Sequence, residues 1–292
     1  VAVAEAFIPS PTRRGTARLG GARRAIGRVS IAEKVGLALL AVLVLAALFA
    51  PLLAPYNPIT PSGLPFQAPL TGGHLMGTDE VGFDIFSRVL YGLRTSVVGA
   101  VVVVASGVVI GGLIGLVAGV TGGWLDTVLM RFTDLFLALP GPVLAIAFVA
   151  ALGPSEFHTL LPVAIVWWPF YARIMRGEIR ALAARPHLEA ARLAGAGVTR
   201  RAVRHLLPGA VPAIVVTASL DVGNLVLTLA GLSFLGLGAP APAPELGAMA
   251  ARGLQYLLQD WWVPVMPAIA VFLLTLASNL SGDGLNDLMS KS

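Results

Sequence analysis

Cysteine is absent from the 292 residues, and lysine occurs only at Lys34 and Lys291. Without cysteine there are no disulfides, no thiolate metal sites and no cysteine nucleophile. A phosphate-binding loop needs a lysine after a glycine at the mouth of a helix. Lys34 follows Glu33 and Lys291 follows Ser290, so the chain does not hold ATP by that device. Charge is also scarce: Asp, Glu, Lys and Arg make up 12% of the residues, about half the usual fraction of a soluble domain. Apolar residues make up 57% and the mean hydropathy is +0.84. Such a chain cannot cover itself with polar surface, so part of its solvent is lipid.

What is present is a series of apolar runs, and they point to an all-α membrane protein with six transmembrane helices. Residues 1–33 form a basic tail expected in the cytoplasm. A first span occupies 34–53, and its run is longer than a signal-peptide core of about 7–15 residues. An extracytoplasmic segment, 54–94, is Pro-rich and then polar. The remaining five spans lie in a core of residues 95–285, at about 95–120, 127–152, 160–177, 209–236 and 264–281, each near the roughly 20 residues that cross a bilayer. Pro140-Gly141-Pro142 is expected to bend the third. A Pro/Ala loop follows the fifth, and 286–292 is a short cytoplasmic tail.

The arginines orient these spans. Seven Lys or Arg lie in the tail up to Lys34, and eight between Arg173 and Arg204. The loops after spans one, three and five carry only Arg88 and Arg94, none, and Arg252. Six spans put the tail, the arginine-rich loop and the C-terminus on one side, which the positive-inside rule makes the cytoplasm. In the second span Gly107, Gly111, Gly115 and Gly119 stack at four-residue intervals, a face for close helix packing.

The arginine-rich loop, 178–208, carries a short helix by its local chemistry. Pro186 suits the first helical position, Glu189 lies near the positive end of the dipole, and Gly195 can close the helix. Leu188, Ala191 and Ala194 fall near one face, where small residues would let the helix sit in a cleft on another protein. An amphipathic loop lying on the membrane surface with no partner fits the same residues.

Glu189-Ala190-Ala191, then three residues and Gly195, and Leu207-Pro208 further on resemble the EAA motif of ABC importer permeases. The Arg204-His205 pair is similar to the peptide and nickel branch of that family. So are His74-Leu-Met-Gly77-Thr78-Asp79-Glu80-Val-Gly82-Phe83-Asp84, Ser87-Arg88 and Tyr91-Gly92-Leu-Arg94, although Leu75 and Phe83 stand where the family usually has proline and arginine. Ser233 to Gly238 and Gly282-Asp283-Gly284-Leu285 complete the pattern. From about residue 30 onward the chain resembles the C-type permease of dipeptide and oligopeptide importers.

That resemblance implies a type I ABC importer permease fold in the bacterial cell membrane, with a role in transport and no catalysis of its own. It implies that Pro186, Leu188, Glu189, Ala190, Ala191, Arg192, Leu193 and Gly195 form a coupling helix docked on an ATPase. The implied partners are a homologous second permease, two cytoplasmic ATPase subunits and an extracytoplasmic peptide-binding protein. ATP and Mg would sit on the ATPase subunits, with no cofactor on this chain. No nucleic-acid partner is expected.

Asp221 falls in the middle of the fifth span, with Asn224 one turn later, and Asn279 lies in the sixth. A carboxylate at a helix centre costs about 2.5–3.5 kcal/mol against lipid, so these residues are expected to face a pathway or another helix. Asp221 either lines a translocation pathway and attracts a peptide ammonium, or makes a packing contact. Trp167, Trp168, Trp261 and Trp262 suit the membrane interface, and Glu178, Arg180 and Arg185 suit an open or subunit-facing surface. His74, His158, His187 and His205 are too scattered for a metal site, which leaves nickel without support. An ion-driven transporter would need repeated halves with paired carboxylates, and an intramembrane hydrolase a second catalytic group; neither is found. Import of glutathione in place of a peptide stays open.

Overall fold

A computed structural model describes residues 30–290, so most of the expected basic tail, at 1–29, and residues 291–292 lie outside the described residues. The first helix, α1 (Ile31–Leu48), opens with a reciprocal cap. Ser30 Oγ accepts from Glu33 N at 3.2 Å, and Glu33 Oε2 accepts from Ser30 N at 2.9 Å. Phe49 interrupts it, and α2 (Ala50–Leu53) carries Pro51 in its first turn. The expected single span 34–53 is therefore broken near its end.

The polar segment before the next helix is folded by its side chains, because it has no sheet to satisfy its backbone. Arg88 is buried, donates to Pro58 O at 2.9 Å, lies 3.8 Å from Asp79, and stacks 4.6 Å from the Phe83 ring centre. Phe83, where the family usually has arginine, thus supplies the π face for a buried cation. His74 Nδ1 lies 2.8 Å from Asp84 Oδ1, and Asp84 Oδ2 caps α3 (Ile85–Thr121) by accepting from Ser87 N at 2.7 Å. That cap starts the helix well before residue 95.

After the Gly122-Gly123 turn come α4 (Gly123–Leu137) and α5 (Gly141–Leu152), which meet at 71°. The bend falls at Pro140, as the sequence leads one to expect. Then α6 (Glu156–Ala183) runs parallel to α3 and packs tightly on it, from Gly99 against Leu160 to Gly119 against Ile179. The glycine stripe is the reason. A methyl on Gly111 would overlap the Trp168 carbonyl, and one on Gly115 the Ala172 carbonyl.

The loop beyond α6 holds α7 (Pro186–Leu193) and α8 (Val198–Arg201), and a π-helical turn, Ala202–Leu206, leads into α9 (Leu207–Phe234). A short helix, α10 (Leu246–Gly253), occupies the stretch expected to be a Pro/Ala loop. The last helix, α11 (Trp262–Ser290), packs against α9, α10 and α1 and extends beyond 281 into the expected tail. No strand forms among the described residues, only two isolated bridges. Four helical stretches there are long and apolar enough to cross a membrane, and the bent pair α4–α5 makes a fifth. The expected span 160–177 lies inside α6, which has the length but whose Trp, Tyr, Pro and Arg dilute its aliphatic content.

Candidate functional site

A cavity of about 420 Å³ opens between α4–α5, α6 and α9. Leu137, Gly141 and Pro142 line it from the bend, Val163, Val166, Trp167 and Phe170 from α6, and Asp221 and Thr228 from α9. The bend makes the space, because it swings the α4–α5 junction away from a straight path. Asp221 is 7% exposed, and Trp167 Nε1 donates to its Oδ2 at 2.9 Å. The wall is otherwise apolar apart from Thr228, so the carboxylate is the one charged group in it.

The sequence-expected pathway residues separate here. Asn224 lies between Asp221 and Thr228 on the same helical face and is exposed. Asn279 is not at the cavity. It packs against Gly223, where an added Cβ would lie 3.0 Å from its Oδ1, on the other side of α9. The interfacial reading of the tryptophans also changes. Trp167 belongs to the cavity, Trp168 is buried against Phe132 and Phe136, and Trp262 is buried with its Nε1 3.3 Å from Thr78 O. Only Trp261 of the four is open enough for an anchor. A signal for the Trp167 contact existed in the sequence, since a carboxylate inside a span needs a donor on a neighbouring helix.

The α7 helix hangs at the end of the bundle. Pro186 is its first residue, and Gly195 closes it with φ +79°, a conformation only glycine takes without strain. Glu189 and Ala190 are exposed, and Ala191 is half-buried. Leu188 is turned inward, 3% exposed and part of the chain's own buried cluster, so it is unavailable to a partner. Leu193 is the apolar residue this helix offers outward, 85% exposed. Arg192 is one residue before it on the same helix.

Arg180, expected on an open surface, is committed to α4. Asp126, 4% exposed in the first turn of α4, accepts from Arg176 Nε, from Arg176 Nη2 at 2.8 Å and from Arg180 Nη2. Asp134 on the same helix accepts from Arg173 Nη2 at 2.6 Å, with both side chains about half open.

Comparison with known proteins agrees with this architecture. Residues 111–292 match the family described as binding-protein-dependent transport system inner membrane component, and 34–69 match the N-terminal TM domain of oligopeptide transport permease C. The probable D,D-dipeptide transport system permease protein of Escherichia coli (strain K12) is 41% identical over 86% of this chain and 84% of its own length. The di/tripeptide transport system permease protein of Pseudomonas aeruginosa (strain UCBPP-PA14) is 39% identical over 86% of this chain and 85% of its own. The glutathione transport system permease protein of Pectobacterium atrosepticum is 42% identical over 74% and 72%. In shape, the chain is similar to one in the inward-facing MetNI methionine ABC transporter, with TM-score 0.53, 21% identity, and coverage of 67% of this chain and 93% of that one. The likeness establishes a shared fold, that of a type I ABC importer permease.

Proposed function

Since the chain belongs to the family of binding-protein-dependent transport system inner membrane components, we propose that it is the permease subunit through which an ATP-driven importer carries short peptides into a bacterial cell. The chain is a membrane transport component and not an enzyme. The observation that carries the ATP-driven part is α7: Glu189, Ala190 and Leu193 face outward while Leu188 anchors the helix to the chain's own core. A protruding helix fastened by one apolar residue can be pushed by a partner and pass the push to the bundle. The partner is a cytoplasmic ATPase subunit, one of two, which binds ATP and Mg. The arginine-rich α7 end is then cytoplasmic, and so are both termini.

The cavity beside Asp221 is the substrate's route, shared with a homologous second permease and fed from outside by a peptide-binding protein. An apolar wall with one carboxylate suits a peptide, whose ammonium group pairs with Asp221 while apolar side chains meet Val163, Val166 and Phe170. The names of the relatives support peptides as the substrate class, and the glutathione permease among them makes glutathione the substrate to test beside them.

The deciding experiment is ATP-dependent uptake of a labelled dipeptide by vesicles containing the whole assembly, with unlabelled glutathione as competitor. Glu189→Ala combined with Gly195→Asp is expected to abolish uptake while the chain stays in the membrane and its ATPase partner is released or uncoupled. Full uptake in that double mutant would overturn α7 as the coupling element. ATP-dependent uptake of labelled glutathione with none of labelled dipeptide would reassign the substrate.

A further inference from the structure

Between α7 and the cavity lies a polar contact that the proposed mechanism does not yet use. Two residues, Ala184 and Arg185, separate the end of α6 from the start of α7, and the joint is stiff. Arg185 N donates to Leu182 O at 3.0 Å, and Leu188 N donates to Arg185 O at 3.0 Å. On the other side α7 is connected loosely, through Gly195 and Gly197 to the π-helical turn Ala202–Leu206 ahead of α9. Such π-helical turns recur at functional sites. A displacement of α7 therefore passes to α6 and is absorbed before α9.

What α6 does with that displacement depends on what it holds. In its last two turns it holds Asp126 through three guanidinium N–H groups, two of them from Arg176 in a bidentate fork. A buried carboxylate gripped by planar guanidinium groups resists both sliding and rotation, because each bond fixes a direction as well as a distance. Asp126 stands at the start of α4, and the far end of α4, at Leu137, is a wall of the cavity. Toward that far end, Phe132 and Phe136 pack on Trp168 of α6. That apolar contact keeps the helices together but allows them to slide.

We infer that Asp126 is a positioning residue for coupling, locking α4 to α6 so that a push on α7 moves the cavity wall at Leu137 and Gly141. This rests on the reading of α7 as the coupling helix. Without the lock, α6 moves and α4 does not follow, so ATP is hydrolysed while the cavity fails to open and close.

The test is the ratio of peptide taken up to ATP hydrolysed, with the complete transporter reconstituted in liposomes and both quantities measured in the same samples. Asp126→Asn keeps the size but places an amide against the guanidinium groups. It is expected to leave hydrolysis within about two-fold of wild type and to lower uptake per ATP about ten-fold, within the usual range of coupling effects. Asp126→Glu, which keeps the charge, is expected to restore most of the ratio. Asp134→Asn, which removes the open pair with Arg173, is expected to leave it unchanged. If Asp126→Asn does not assemble, Arg180→Gln removes one arm of the grip and is expected to lower the ratio part of the way. A wild-type ratio in Asp126→Asn, or in Arg180→Gln where Asp126→Asn does not assemble, overturns the inference, and so does a parallel loss of hydrolysis and uptake in an assembled complex. A wild-type complex without ATP-dependent uptake would overturn the coupling reading itself and this inference with it; uptake by wild type and an unchanged ratio in Asp126→Asn would overturn only the inference.

Discussion

Trp167 and Asp221, 54 residues apart in sequence, are joined by a 2.9 Å hydrogen bond from the indole Nε1 to Oδ2 in the wall of the cavity. Asp221 lines that wall, where its charge can draw a cation entering the space. Asp221→Asn is expected to lower uptake of a dipeptide with a free ammonium group about ten-fold, the loss of one charge-assisted hydrogen bond. Uptake of the same dipeptide acetylated at its N-terminus is expected to be low in wild type and no lower in the variant. Equal losses for both peptides would assign Asp221 to helix packing instead.

The two leucines of α7 are expected to fail in different assays. Leu193, 85% exposed, belongs to the partner, so Leu193→Asp weakens retention of the ATPase subunit about ten-fold, as loss of a central apolar contact does. Leu188 belongs to the chain's own core, so Leu188→Ala costs about 2–5 kcal/mol of its stability. Co-purification titrations check the first, and thermal unfolding of the isolated chain in detergent the second.

Gly115 lies where α3 crosses α6, and an added Cβ would meet Met175 Cβ at 2.8 Å as well as the Ala172 carbonyl. Gly115→Val is expected to cost about 1–3 kcal/mol and lower the thermal midpoint, because two backbones must separate to admit it. Gly177, on α6, meets nothing within 4 Å. Gly177→Ala is therefore expected to leave the midpoint unchanged or raise it slightly.

Glu245, ahead of α10, accepts a hydrogen bond from Ala239 N at 2.8 Å. Burial pushes its carboxyl above the ordinary glutamate value of 4.5, against the bond from Ala239 N. A raised carboxyl makes the folded chain bind its proton more tightly than the unfolded chain does. The resulting stability is complete below 4.5 and is lost as pH rises through the raised value. Glu245→Gln is expected to remove that decline from the pH profile of thermal stability, measured from acid to neutral.

Much of this protein is visible in its residue order. The apolar runs locate the helices, Pro140-Gly141-Pro142 locates the bend, and Pro186 with Gly195 bounds the short helix in the arginine-rich loop, because each of these depends on neighbours a few residues away. The start of α3 was missed for a physical reason. Asp84 caps that helix inside a polar stretch with no apolar run to mark it, and His74 holds its other oxygen in the folded segment. The helix α10 escapes a sequence reading because its eight residues are a short run inside a Pro- and Gly-rich stretch.

Composition alone pointed to a helical membrane protein, and the resemblance of its motifs pointed to the family to which it belongs. Lipid solubility sums over a run of about 20 residues whatever the run packs against. Packing decided which way each side chain faces: Leu188 inward and Leu193 outward, Asp221 to Trp167, Asn279 away from the cavity, and Asp126 into the grip of Arg176 and Arg180. Facing depends on the phase of one helix against another, and that phase is set by contacts between residues about 40 to 60 positions apart, which no local pattern contains.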